Sequence, residues 1–393
     1  MKLLFVLNNF EIGGPQKSLL SLLHELSIEY PDYEINLTIL NGSDTLSKYL
    51  PPNVNIINSD NYIKLLMLDK RKFLLNAYKN INHPRMLLNL IPLFIRKYIS
   101  KKNFVKLKQE YWIKNTNYYT YDKNEYDVAI AVSGGHSMYY IVDHINAKKK
   151  VSWIRTDYKV LKRDETLDRL YFNKMDNILS VSEICSKNFY TTFELQAQVF
   201  YNVSPLNLYK NIAKPNIEMN TNILNIVSVM RLDPNKGLDF IVDAAIILKD
   251  RNIDFKWYIV GDGVSRKWLE KKIKIYNLSN NIKLLGFVFN TGSVIDNADI
   301  IVHPSRFEGK SNTIDEALLM NKLVIATNFT TVYEQIVDGE NGYIVNMDAE
   351  SIANKIVEVW EDRNLIVNIE RKIAKSKTFS RNKADEFIEK ITR

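Results

Sequence analysis

What this 393-residue sequence lacks narrows its reading first. It has one cysteine, Cys185, so no internal disulfide can form, and a reducing compartment is the simplest inference. Its five histidines (His24, His83, His136, His144 and His303) are scattered without ligand spacing, and no two aspartates stand two residues apart. That leaves no visible metal site, and none is expected. No apolar run approaches the roughly 18 residues that a membrane-spanning helix needs. The opening Met1-Lys2, a short apolar run and Asn8-Asn9 are too brief for a signal-peptide core and read as a first strand. Neither export nor membrane insertion is expected, and the cytoplasm is the expected location.

What is present is the composition of a soluble globular protein, 46% apolar and 25% charged, which excludes a disordered or fibrous chain. The length is too great for one ordinary core and divides into two domains of about 150 to 200 residues. The net charge of +8 is unevenly spread. Residues 64–108 hold twelve basic side chains against one acid, Asp69, more positive charge than the whole chain carries. Within them Ile91, Phe94, Ile95, Tyr98 and Ile99 follow helical spacing, while Arg96, Lys97, Lys101 and Lys102 fall mostly off that stripe. This pattern predicts an amphipathic helix with a cationic face. Two readings stay open: a solvated surface helix, or peripheral contact with an anionic membrane.

Apolar runs at 2–7, 34–40, 54–57, 126–132, 150–153, 177–181 and 198–201 alternate with helical patterns, as a parallel sheet with crossover helices requires. The first strand leads into Gly13-Gly14 and an amphipathic run from Gln16, a Rossmann-like opening whose glycine pair is by itself a weak motif and could be no more than a tight turn. The fourth run ends in Ser133-Gly134-Gly135-His136, a polar loop where open α/β sheets bind ligands, so His136 is a site candidate. Residues 202–222 turn polar, with Pro205 and Pro215 and little periodicity, and read as a linker.

A second alternation follows, with strands predicted at 225–229, 256–260, 282–285, 300–302, 323–326 and 339–345. Glycine recurs at the strand ends: Gly261 after the second, Gly286-Phe287-Val288 after the third. The first loop reads Arg231-Leu-Asp-Pro-Asn-Lys236-Gly, and two cations at a strand end suit a phosphate. The loop after 300–302 carries Glu308 and Gly309 and precedes a predicted helix with Glu316 about one turn in. A helix N-terminus over that loop can receive an anion, while the carboxylates can hold a polyol. A ligand anionic at one end and hydroxyl-rich at the other is a nucleotide sugar. Two Glu eight residues apart also arise by chance in helical proteins, so their surroundings decide.

Those surroundings, Pro304-Ser305-x-x-Glu308-Gly309 followed by Glu316-Ala317, resemble family 4 of the retaining glycosyltransferases, as do the Arg231-to-Gly237 loop and the Gly13-Gly14 opening. The resemblance is dense from Val227 to Val345 and sparser before. It implies an α/β chain of the GT-B type, two facing Rossmann-like domains with a cleft between them: 1–205 on the acceptor side, 206–375 on the donor side, and a last helix within 376–393 crossing back. It implies transfer of a sugar, with retention, from a nucleotide diphosphate sugar, UDP by family frequency, to a glycan or lipid-linked glycan in bacterial cell-surface polysaccharide synthesis. No cofactor beyond that donor is expected.

In that reading Glu316 holds ribose and Glu308 the donor-sugar hydroxyls, Arg231 and Lys236 stabilise the departing diphosphate, and backbone N–H groups of Gly309, Lys310, Ser311 and Asn312 complete the donor site. Gly13 and Gly14 lie against the diphosphate, and Gly261, Gly286, Phe287 and Val288 line the nucleotide. Lys310 stands where many relatives have an aromatic residue and could add a cation near the sugar, and Arg155 stands where relatives often have His. A nucleotide-sugar epimerase of similar form is the competing enzyme. A basic nucleic-acid-binding protein or a non-catalytic glycan-binding module are the readings outside enzymes.

Overall fold

The computed structural model describes residues 1–11, 13–59, 63–64, 67, 104–116, 122–209, 212, 214, 217–376 and 382–393. Most of the cationic segment, including the amphipathic helix expected around residues 91–102, lies outside the described residues. The chain divides into two compact units, Met1–Val203 with Arg381–Arg393, and Ser204–Ser380.

The first unit is built on seven parallel strands: β1 (Lys2–Leu7), β2 (Glu34–Ile39), β3 (Val54–Asn58), β4 (Glu125–Ala131), β5 (Asn146–Ile154), β6 (Asn177–Ser180) and β7 (Gln198–Val199), in the order β3-β2-β1-β4-β5-β6-β7. Apart from Lys2, every residue of β1 is buried, as a strand covered on both faces demands. β5 starts four residues earlier than its apolar run, because Lys148, Lys149 and Lys150 continue the strand with their heads at the surface, Lys148 reaching Asp127 at 2.7 Å. The last helix, Lys383–Thr392, belongs to this unit. It sets Phe387 against Phe5, Phe200 and Trp153, with ring centroids 5.9, 5.1 and 5.7 Å apart.

The second unit has six parallel strands: β8 (Leu224–Val229), β9 (Phe255–Val260), β10 (Ile282–Gly286), β11 (Ile300–His303), β12 (Val324–Thr327) and β13 (Tyr343–Val345), in the order β10-β9-β8-β11-β12-β13. Two of its helices, Asn312–Leu319 and Ala349–Glu361, start at side-chain caps that satisfy otherwise orphaned N–H groups, Asp348 accepting from Ser351 N at 2.7 Å in the second. Leucine, isoleucine and valine from helices Leu238–Asp250 and Ala349–Glu361 fill one face of the sheet.

In each unit the chain winds outward from a first strand and then returns to its other side. β8 therefore lies between β9 and β11, and β1 between β2 and β4. At such a switch the loops leaving adjacent strands part in opposite directions and open a crevice at the carboxyl edge. In the second unit the loops concerned are 230–237 and 304–311.

Candidate functional site

The two loops at the second unit's switch are held together by glycine. Gly237 has φ +66°, and a Cβ there would stand 2.0 Å from the Pro304 carbonyl oxygen. Only glycine lets the chain after β8 approach the chain after β11 this closely. The approach carries Lys236 to Glu308.

Glu308 is the hub of the site. Lys236 Nζ forms an ion pair with its Oε1, Ser305 Oγ donates to the same oxygen at 2.9 Å, and His303 Nε2 lies 3.1 Å from it. Among the described residues nothing hydrogen-bonds Oε2, so one carboxylate oxygen is anchored and the other is available to a ligand hydroxyl. Burial works against the charge, yet the Lys236 ammonium and the contact with His303 outweigh it and hold the carboxyl at about 2. Glu308 is thus an acceptor at any physiological pH. Arg231, at the mouth of the same loop, is 67% exposed and paired with Asp233 at 2.8 Å.

The backbone after Glu308 is braced from one direction. Thr331 Oγ1 donates to the Glu308 carbonyl at 2.9 Å. Gln335 clamps Ser311 on both sides, its Oε1 accepting from Ser311 N and its Nε2 donating to Ser311 O, each at 2.8 Å. The Ser311 N–H, expected to face a phosphate, is therefore committed to Gln335. Lys310 is likewise held: its ammonium lies 3.1 Å from Asp315, which neutralises the extra cation expected near the sugar. Ser311 caps the helix Asn312–Leu319 by accepting from Ile314 N at 3.3 Å, which points that helix's N-terminus over Gly309 and Asn312.

Glu316, one turn into this helix, is buried. Its Oε2 accepts from Thr291 Oγ1 at 2.8 Å and from the Tyr209 hydroxyl at 3.2 Å. Burial and the neighbouring Glu316 charge raise the Tyr209 phenol well above its usual value, so it remains a donor. Tyr209 comes from the stretch expected to be a plain linker. Residues Leu206–Tyr209 form a short helix there, and Asn290 Nδ2 donates to the Tyr209 carbonyl at 3.2 Å.

The glycines have separate causes. A Cβ on Gly261, at φ +137°, would lie 1.8 Å from Met230 O, so this glycine serves the contact between the loops after β8 and β9. Gly286, at φ +68°, ends β10 in a left-handed turn where a Cβ would meet only Arg266 Nη1, 3.5 Å away, and presents Phe287, 38% exposed, and half-buried Val288. In the first unit Gly13 is extended and caps helix Gly14–Glu29, with the Gln16 Oε1 where a Cβ would go, 2.5 Å away. His136 begins helix His136–His144 beside Trp112 and Tyr139, 5.7 and 5.5 Å between centroids. Burial, with Arg163 and Lys108 nearby, pushes it well below its usual value, so its ring is neutral.

Arg231 and Lys236 lie in the loop after β8, Glu308, Gly309, Lys310 and Ser311 in the loop after β11, and Asn312 and Glu316 in the helix that follows; a hydrogen bond joins Lys236 to Glu308, while Glu316 has its own partners in Tyr209 and Thr291. Tyr209, Thr291, His303, Ser305 and Gln335, which sequence reasoning did not assign to the site, contact these residues. Ser305 and His303 had a signal, since both stand within five residues of Glu308. Tyr209, Thr291 and Gln335 reach the site only through tertiary folding. Among the described residues no three His, Cys, Asp or Glu side chains cluster as a metal site would need, and no helix is long and apolar enough to cross a membrane.

Residues 210–376 match the family described as Glycosyl transferases group 1. Over 248 residues the chain is 29% identical to N-acetylgalactosamine-N,N'-diacetylbacillosaminyl-diphospho-undecaprenol 4-alpha-N-acetylgalactosaminyltransferase of Campylobacter jejuni, covering 62% of this chain and 65% of that one. It is 31% identical over 122 residues to alpha-D-kanosaminyltransferase of Streptomyces kanamyceticus, covering 30% of this chain and 32% of the relative. The match thus spans about a third of one relative and under two thirds of the other. Anabaena HepE, solved in complex with UDP and glucose, superposes with a TM-score of 0.68 at 17% identity over 99% of this chain and 98% of that one. The fold, two Rossmann-like parallel sheets with helices, is GT-B.

Proposed function

We propose that the protein is a retaining glycosyltransferase that moves a sugar from a nucleotide diphosphate sugar, a UDP-hexose or UDP-N-acetylhexosamine, to a glycan or lipid-linked glycan of the bacterial cell surface. The observation that carries this reading is Glu308, ionised and anchored through one oxygen by Lys236, Ser305 and His303, at the switch point of the sheet that matches the group 1 family. The undecaprenol-linked substrate in the Campylobacter relative's name and the UDP bound by Anabaena HepE support the acceptor and donor classes.

In this mechanism Oε2 of Glu308 accepts from donor-sugar hydroxyls and orients the ring. As the bond from the anomeric carbon to the diphosphate breaks, negative charge grows on the leaving oxygen, and Lys236 and Arg231 offset it. The N-terminus of helix Asn312–Leu319 adds its partial positive charge. Glu316, positioned by Tyr209 and Thr291, accepts from ribose. Transfer on the same face goes through a short-lived ion pair in which a phosphate oxygen takes the acceptor proton. The cationic run at 64–108 gives the protein peripheral contact with an anionic leaflet on the cytoplasmic side, each basic group there contributing about 1 kcal/mol.

A screen of nucleotide sugars by thermal stabilisation, followed by product analysis with an undecaprenyl-linked acceptor, tests the reading. A UDP-sugar that raises Tm and is consumed only when acceptor is present is the expected result. Stabilisation by no nucleotide sugar, or release of an epimerised nucleotide sugar without acceptor, would overturn it.

A further inference from the structure

Arg155 follows β5 directly, at the carboxyl edge of the first sheet, and its guanidinium is buried. One hydrogen bond holds it, from Nη2 to Asn202 Oδ1 at 2.7 Å, and its plane lies 4.0 Å from the centre of the Trp153 ring. Among the described residues nothing accepts from Nε or Nη1, and no carboxylate pairs with it. A side chain with five N–H donors in a rigid fork is thereby fixed with the three on Nε and Nη1 unspent. Burial alone pulls the group down to about 9, which leaves it cationic at neutral pH.

A buried cation without a counter-charge is costly to keep, and folding selects against it unless something outside the chain completes it. The location says what kind of thing. The register Val6–Ala131–Ser152 runs straight across β1, β4 and β5, so Asn8 and Ser133 follow it by two residues and Arg155 by three, all past the carboxyl ends of neighbouring strands, the edge where open sheets bind ligands. Asn8 also carries a buried side-chain oxygen without a partner. A planar cation backed by an aromatic face, anchored on one side by an amide and without a protein acceptor at its buried Nε and Nη1, matches an oxyanion, which takes two parallel N–H donors.

We propose that Arg155 is a recognition point for an oxyanion, phosphate or carboxylate, carried by the substrate that occupies the first unit. That this substrate is the acceptor rests on the transferase reading above; the anion site itself does not.

Trp153 gives a local readout. Titration with inorganic phosphate at ionic strength held constant with sodium chloride should change tryptophan fluorescence, and Trp153→Phe should abolish the change. Arg155→Met should abolish it with Tm held or raised, since a buried charge is removed without orphaning a carboxylate. Arg155→Lys, which keeps the charge but not the fork, should weaken binding about tenfold and carries the test if the methionine variant does not fold. Comparing glycerol 3-phosphate with glucuronate then tells a phosphate ligand from a uronate one, and a saturable response to either supports the site. An equal response to chloride, or a phosphate response that survives in Arg155→Met or is undiminished in Arg155→Lys, overturns it. Phosphate binding without turnover on any nucleotide sugar would leave this site standing and remove the transferase reading instead.

Discussion

Lys236 and Glu308, 72 residues apart in the chain, form an ion pair at the point where the loops after β8 and β11 meet. Glycosyl transfer as proposed here needs that pair in the correct protonation state, and the pair has a measurable signature in acid. The Glu308 carboxyl titrates at about 2 in the folded protein against 4.5 for the free group. Its charge therefore contributes stability that is fully present above pH 4.5 and lost as pH falls through 2, on the order of 3 kcal/mol in all. Glu308→Gln should flatten that part of the profile. Tm measured between pH 2 and 5 decides, and parallel profiles for the two proteins would count against the pairing.

The two glutamates should fail differently. Glu316→Ala should weaken affinity for bare UDP, whereas Glu308→Ala should leave that affinity nearly intact and lose turnover with the whole nucleotide sugar. Tyr209→Phe, which removes one donor from Glu316, should weaken UDP by about 1 kcal/mol, roughly fivefold. Calorimetry with UDP separates these cases. Equal losses in both glutamate variants would contradict the assignment.

Activity should survive chelation. In the proposed mechanism two cationic side chains and a helix N-terminus offset the diphosphate charge that a divalent ion would otherwise meet. Turnover lost in EDTA and restored by magnesium would overturn this part of the mechanism.

Glycine substitutions should sort by cause. Gly261→Ala puts a methyl group 1.8 Å from Met230 O and must move the chain after β8, so a loss of several kcal/mol or insoluble protein is expected. Gly286→Ala meets only Arg266 Nη1 at an ordinary contact distance of 3.5 Å and should cost only the positive-φ penalty, about 1 kcal/mol. Denaturant unfolding measures both; a small effect at Gly261 would refute the close approach.

How much of this was legible beforehand depended on range. Buried parallel strands announce themselves as apolar runs, so β1, β9 and β11 were readable, while β5 was read short because lysines occupy its first half. Glu308 and Lys236 were visible because each sits in a compact local pattern. The clamp of Gln335 on Ser311, 24 residues away, has no local signature, and it changed the reading of which N–H groups can meet a phosphate. Tyr209 was hidden by its setting: a polar, proline-bearing stretch suggests a solvated linker, yet one aromatic residue from it is buried against Glu316.

The helix Lys383–Thr392 sets a timetable for the chain as it is made. Phe5, Trp153 and Phe200 leave the ribosome before the second unit, but Phe387, the ring that covers them, is translated only after it. The second unit lies wholly between them in sequence and can fold first as an uninterrupted domain. The first unit waits with an uncapped aromatic patch until the second unit has been made. Its final closure is thereby tied to synthesis beyond that unit, and a product terminated before Phe387 is left with an exposed surface for chaperones and proteases to read.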